Sequence, residues 1–187
     1  ENRLERAERF QRDVENALQG VGIAEGHHIL DCCCGCGTYT IAAAMLVGDK
    51  GLVYAVDKND TKLRELSREA DLQKLRNINV IKHNVERDIP LPDHTVDFVL
   101  LYDIFWYFRP SEKKTEYLIK EVRRVARGNG LVSVYPTHVD ENSLSHFKRM
   151  MEKNGFVLVS ERPRRLVHEK TLVEGVLQNY KKGETPR

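Results

Sequence analysis

Apolar residues along this chain follow two different spacings. Leu4, Ala7, Phe10, Val14, Ala17, Leu18 and Val21 recur at three- and four-residue steps, which predicts an N-terminal helix within residues 1–22, ended by Gly20 and Gly22. His27 to Cys34 (HHILDCCC) is a short apolar run without alternation, the pattern of a strand buried on both faces. Thr38 to Val47 then reads as an Ala-rich helix, and Gly51 to Val56 as a second strand closed by Asp57. Thr61 to Leu75 is a helix with Leu63, Leu66, Ala70 and Leu75 on one side. Strands follow at Ile78 to Lys82 and Thr95 to Tyr102, then a helix from Ser111 to Ala126 with Ser111 as N-cap and Gly128-Asn129-Gly130 as its stop. Leu131 to Tyr135 is a fifth strand, Asn142 to Lys153 a helix, and Phe156 to Ser160 a sixth strand. Thr171 to Tyr180 comes without a helix before it, which suggests an antiparallel hairpin partner. The alternation predicts an α/β, doubly wound, mostly parallel seven-stranded sheet with an antiparallel last strand, preceded by the N-terminal helix.

Composition narrows the picture. The chain has 187 residues, 41% hydrophobic and 31% charged, and no repeat, low-complexity stretch or linker, so residues 1–187 are expected to form one domain with its core at 25–180. A formal charge of +2 is too small to argue for phosphate-dominated nucleic-acid binding. No run approaches the ~20 apolar residues of a membrane helix, and Glu1 to Arg12 lacks the apolar centre of a signal peptide. The chain does not open on Met, so residues can precede Glu1 in the natural protein. All four cysteines, Cys32, Cys33, Cys34 and Cys36, fall in one pentad, whereas a disulfide framework would spread them; reduced thiols and a cytoplasmic location are expected. Neighbouring strand residues point to opposite faces, so C-C-C-x-C cannot easily wrap one tetrahedral ion. No metal site is expected, and Cys32 and Cys34 read as small buried hydrophobes.

The chemistry is expected in the loop after the first strand. Ligands of open parallel sheets sit outside the carboxyl ends of the strands, where strand order reverses. Gly35 and Gly37 there permit positive φ and leave backbone bare, and the following helix offers free N–H groups and a partial positive charge. A dinucleotide fingerprint G-x-G-x-x-G would need glycines at 35, 37 and 40, but position 40 is Thr. Asp31-Cys32-Cys33-Cys34-Gly35-Cys36-Gly37 instead resembles D-x-G-x-G-x-G, with Cys33 in place of the first glycine. This is similar to motif I of the class I S-adenosylmethionine-dependent methyltransferases, whose fold is Rossmann-like. His83 to Leu91 (HNVERDIPL) resembles the family's segment after the third strand, Thr95 to Asp103 its fourth strand, and Val122 to Val132 its turn into the fifth.

The resemblance implies an enzyme that transfers the methyl of S-adenosyl-L-methionine to an acceptor by in-line displacement, leaving S-adenosyl-L-homocysteine. It assigns Asp31, Gly35 and Gly37 to the methionine end of that cofactor, Asp57 to the ribose, and Asn84 with Val85 to the adenine, with Cys33 and Lys58 also in the cofactor site. Asp103 would face the methyl-transfer region. Alignment carries much of such catalysis, so no fixed catalytic motif is required. His138, just past the fifth strand, is the best placed base for a phenol, enol or amine acceptor, ahead of His168 and Tyr107. His27, His28, His94 and His146 read as surface or turn residues, and Arg162, Arg164 and Arg165 as a solvated hairpin face. Ile104-Phe105-Trp106-Tyr107-Phe108 either lines a flat apolar acceptor pocket or fills ordinary core. An N-P-P-Y/F tetrapeptide is missing there, which argues against DNA adenine or glutamine as acceptor. The compact chain is similar in style to quinone C-methyltransferases, so a small molecule is the first acceptor, with RNA or protein second. A non-catalytic cofactor-binding or partner module is the reading from another class, and it rests on Cys33. No pattern specifies an oligomer.

Overall fold

The computed structural model describes residues 3–168 and 171–183, with side chains from residue 9 onward. Among these residues five helices and seven strands follow one another: α1 (Arg3–Leu18), β1 (His28–Cys32), α2 (Thr38–Val47), β2 (Leu52–Asp57), α3 (Asp60–Leu72), β3 (Ile78–Lys82), β4 (Val96–Tyr102), α4 (Lys113–Val125), β5 (Ala126–Tyr135), α5 (Glu141–Lys153), β6 (Phe156–His168) and β7 (Thr171–Lys182). They form one sheet in the order β3-β2-β1-β4-β5-β7-β6. Every pairing among β1 to β5 is parallel. β7 runs antiparallel to both β5 and β6, so β6 points the same way as β1 to β5. This is the doubly wound, mostly parallel architecture expected from the alternation.

Alternation along the strands splits the core in two. On one face Leu30, Val99 and Leu101 pack with Val122 of α4, Phe147 of α5 and Tyr180 of β7. On the other, Ile29, Phe98, Leu100 and Tyr102 pack with Val14 and Leu18 of α1 and Ala43 and Val47 of α2. Leu4 and Ala7 of the predicted α1 stripe lie outside the described side chains, while Val14, Ala17, Leu18 and Val21 are buried as expected. Gly20 and Gly22 carry positive φ and turn the chain out of the helix.

Three sequence expectations need correction. Gly128-Asn129-Gly130 is a bulge in β5, not a helix stop. Val96 pairs with Ala126 and Phe98 with Leu131, so Arg127 to Gly130 stand opposite Asp97 alone. Arg127 closes the bulge by donating to both carboxylate oxygens of Asp97 at 2.7 and 2.8 Å. Ser111 is not the cap of α4, because the chain stays in turns until Glu112 and the Thr115 hydroxyl instead donates to the Arg109 carbonyl at 2.6 Å. The sixth strand does not stop at Ser160. β6 runs on to His168, tolerating Pro163 because it is the outermost strand of the sheet.

Phe147 anchors α5 to the loop after β4 through an edge contact with Phe105, centroids 4.8 Å apart, and it is buried against Tyr180. Phe147→Ala is therefore expected to cost about 3–5 kcal/mol of stability, read from urea unfolding of the variant against the parent; an unchanged midpoint would show that this contact carries no packing energy.

Candidate active site

At the carboxyl edge of β1 and β4 the neighbouring connections lead to opposite sides, and a cavity of about 680 Å³ opens between them. The turn after β1 forms one wall. Cys33, Gly35 and Gly37 all hold positive φ, at 62°, 57° and 83°. Cys33 thus adopts the left-handed backbone where the resembled motif has its first glycine, a conformation that costs a β-carbon-bearing residue about 1–3 kcal/mol. Its side chain packs against the cluster of Leu30, Val56 and Val85, and the residue lines the cavity. Gly37 is required by packing, since a Cβ there would collide with the buried Leu66 side chain. Gly35 is not, because its nearest neighbour to a Cβ would be Lys62 Cδ at 3.8 Å; the bare backbone faces space an occupant can use. α2 then begins at Thr38 with its unpaired N–H groups at the cavity.

Two carboxylates back this turn. Asp31 is buried and accepts from the Thr40 hydroxyl at 2.6 Å. Burial raises its carboxyl to about 6; the Thr40 hydrogen bond opposes the rise and the charge of Asp57 adds to it. Asp57, at the end of β2, accepts the Gly35 N–H on Oδ2 at 2.9 Å and the Asn59 N–H on Oδ1 at 2.8 Å. Each oxygen retains acceptor capacity, so the carboxylate can take two hydroxyls together.

Asn84 and Val85 line the far side of the cavity. The Asn84 side chain accepts the Glu86 N–H at 3.1 Å, which fixes the turn after β3, and Val85 is buried. Lys58 stands over the Tyr107 ring at 4.0 Å, with Lys114 at 4.1 Å. The Tyr107 hydroxyl donates to Glu86, whose carboxyl is lowered chiefly by that bond. The aromatic segment divides between its two readings: Phe105 and Phe108 are core, while Trp106 is 64% exposed and lines the cavity with Tyr107.

The opposite end is polar. Asp103, just past β4, accepts from the Thr137 hydroxyl at 2.6 Å on Oδ1 and lies 2.7 Å from His168 Nδ1 through Oδ2. His138 Nε2 is 3.9 Å from Asp103 Oδ1, and the two imidazole centroids are 4.8 Å apart. His168, ranked behind His138 on sequence, is the residue in direct contact with Asp103. What places it is Tyr39 of α2, whose hydroxyl donates to the Val167 carbonyl at 2.9 Å and accepts the Val167 N–H at 2.8 Å. Neither Tyr39 nor Thr137 was singled out from sequence, and no local pattern marks the place of His168, because Arg162, Pro163, Arg164 and Arg165 interrupt the apolar run of β6. The remaining histidines expected at surfaces or turns, His27, His28, His94 and His146, do not line the cavity.

The four cysteines form no disulfide. Cys32 is buried, and its thiol is raised by the hydrogen bond with Cys33 and by burial. Burial, with the nearby charge of Asp31, pushes the Cys34 thiol up as well.

A mostly parallel sheet that closes a glycine turn over the Asp57 carboxylate and leaves a ligand cavity at the strand reversal is the architecture of nucleotide-type cofactor folds. A family model described as "Methyltransferase domain" matches residues 29–130. The chain therefore belongs to this methyltransferase family, of the class I S-adenosylmethionine-dependent type. It is 30% identical over 137 residues to a demethylmenaquinone methyltransferase of Geobacillus sp. (strain WCH70), covering 71% of this chain and 56% of that protein. A demethylmenaquinone methyltransferase of Staphylococcus aureus (strain MRSA252) is 29% identical over 138 residues, covering 73% and 53%. The chain spans about half the length of the curated relatives it matches. Among solved structures, a SAM-dependent methyltransferase from Aquifex aeolicus aligns with a TM-score of 0.70 at 25% identity, covering 90% of this chain and 88% of that one. No described helix is long and apolar enough to cross a membrane.

The Asp31 carboxyl gives a pH test of this geometry. The folded state holds its proton more tightly than the unfolded chain does, so its contribution to stability is complete at low pH and is lost as pH rises from 3.8 through about 6. In Asp31→Asn that loss disappears. Urea unfolding across this range should show the parent losing on the order of 2–3 kcal/mol relative to the variant; parallel pH profiles would mean the carboxyl titrates normally.

Proposed function

We propose that this chain is an S-adenosylmethionine-dependent methyltransferase acting on a small organic acceptor. One observation carries the reading: the Asp57 carboxylate, oriented by the Gly35 and Asn59 N–H groups, stands in the cavity between the glycine turn and Asn84-Val85. The residues fit the cofactor. Gly35 offers bare backbone without being forced to by packing, Asp57 can accept both ribose hydroxyls, and Asp31 supplies a buried carboxylate at the amino-acid end. Asn84 and Val85 are assigned to the adenine, and Lys58 to the rim beside the ribose. When bound, the cofactor supplies an electrophilic methyl on a sulfonium sulfur, which leaves as a neutral thioether.

The chain's own part is to align and to exclude water. Phe105 and Phe108 fix the loop after β4 in the core, so Trp106 presents flat apolar surface at the cavity, with Tyr107 beside it under the Lys58 and Lys114 ammonium groups. Tyr107 is assigned to this wall rather than to proton transfer, because its hydroxyl is committed to Glu86 and its ring to two ammonium groups. Asp103, His138 and His168 form the polar acceptor end. The demethylmenaquinone methyltransferase relatives support a small-molecule acceptor. Four free thiols within residues 32–36 suit a reducing compartment, and we place the protein in the cytoplasm.

Calorimetric titration with S-adenosylhomocysteine tests the reading. Asp57→Ala is expected to weaken binding by about 10- to 100-fold, the equivalent of one hydrogen bond to a charged group. Equal affinity in the variant would remove the ribose assignment, and no binding by folded parent protein would overturn the function.

A further inference from the structure

The acceptor end holds more than a proton relay needs. Asp103, His138 and His168 follow three separate strands, β4, β5 and the end of β6, and one donor atom from each lies within 4.8 Å of the others. A relay would use His168 bonded to Asp103 and leave His138 without a role. Yet His138, like Asp103, is held at positive φ, 57° and 55°, a conformation that costs such residues about 1–3 kcal/mol and clusters where function demands it. Thr137 fixes the free oxygen of the same carboxylate, as outer groups do for metal ligands.

We infer that Asp103, His138 and His168 bind one divalent transition-metal ion at the acceptor end of the cavity. Two imidazoles and one carboxylate suit zinc, iron, cobalt or nickel, whereas magnesium and calcium favour sites built of oxygen. Ligands about 2.1 Å from an ion stand roughly 3–3.5 Å from one another. Asp103 and His168, 2.7 Å apart, need to separate by only roughly 0.3–0.8 Å for an ion to take the place of their hydrogen bond. The His138 side chain, 50% exposed, turns inward to complete the set. Three protein ligands leave coordination positions open toward the cavity, the arrangement of catalytic rather than structural ions.

The inference rests on the methyl-transfer reading for its consequence. An acceptor hydroxyl that enters an open position loses its proton to solvent at lower pH than it would in water. Its oxygen lone pair then forms the bond to the methyl carbon as the carbon–sulfur bond breaks. The acceptor class is accordingly a small molecule with an ionisable hydroxyl, such as a phenol or enol.

Metal-free protein titrated with Co2+ tests this without any acceptor. One equivalent is expected to produce visible ligand-field absorption, and His138→Ala and His168→Ala should each weaken binding at least about tenfold. Asp103→Asn, which keeps the shape and removes the charge, should do the same, with circular dichroism showing that each variant is folded. Asp57→Ala should keep the metal while binding S-adenosylhomocysteine more weakly, so the two readings fail separately. Absence of binding by folded parent, undiminished binding in the histidine variants, or an intense thiolate-to-cobalt charge-transfer band from the cysteine turn would each overturn the inference.

Discussion

The direction of the strands is the constraint on which everything else depends. β1 to β6 run the same way, with β7 alone reversed, so six carboxyl ends collect on one edge of the sheet. Every assigned group lies at or shortly after one of those ends: the turn of Cys33 to Gly37 after β1, Asp57 at the end of β2, Asn84 after β3, Asp103 after β4, His138 after β5 and His168 at the end of β6. Backbone hydrogen bonding between strands thus sets the positions of side chains that have no sequence proximity. The reversal of winding between β1 and β4 opens the gap they surround.

Interactions beneath the edge hold the connecting loops. Arg124 of α4 donates to the carbonyls of Ile89 and Leu91 at 2.8 Å and to Asp93 at 2.9 Å, while Glu121 accepts the Ile89 N–H at 2.9 Å. The segment between Val85 and β4 is thereby tied to a helix on the sheet face rather than to the cavity. Tyr39 acts similarly at the other end, accepting and donating across α2 and β6. The cavity is thus walled by loops anchored both below it, at Arg124, and at its own lining, where Tyr39 holds Val167.

The two halves of the site differed in how far the sequence revealed them. The methyl-donor half follows β1 and β2, strands of five and six residues, and the glycine-marked exit of β1 carries the motif whose resemblance placed Asp31, Gly35, Gly37 and Asp57. Their clustering needs only that consecutive strands pair in parallel. The acceptor half depends on pairings that local pattern does not carry. His168 reaches Asp103 across 65 residues, through a strand interrupted by Pro163 and three arginines, and its place is secured by a tyrosine 128 residues from its partner Val167. The bulge at Gly128-Asn129-Gly130 escaped notice for the same reason, since Arg127 and Asp97 meet only once β4 and β5 are paired.

β6 combines two demands that usually fall to different strands. As the outermost strand it offers unpaired backbone along its free side, an invitation to stack with another chain. Val157 and Val159 near its start are exposed and would favour that stacking, but Arg162, Pro163 and Arg165 interrupt it before the strand reaches the cavity. The residues that hid this strand in the sequence are thus a guard against aggregation, and they protect the part of the edge that delivers His168.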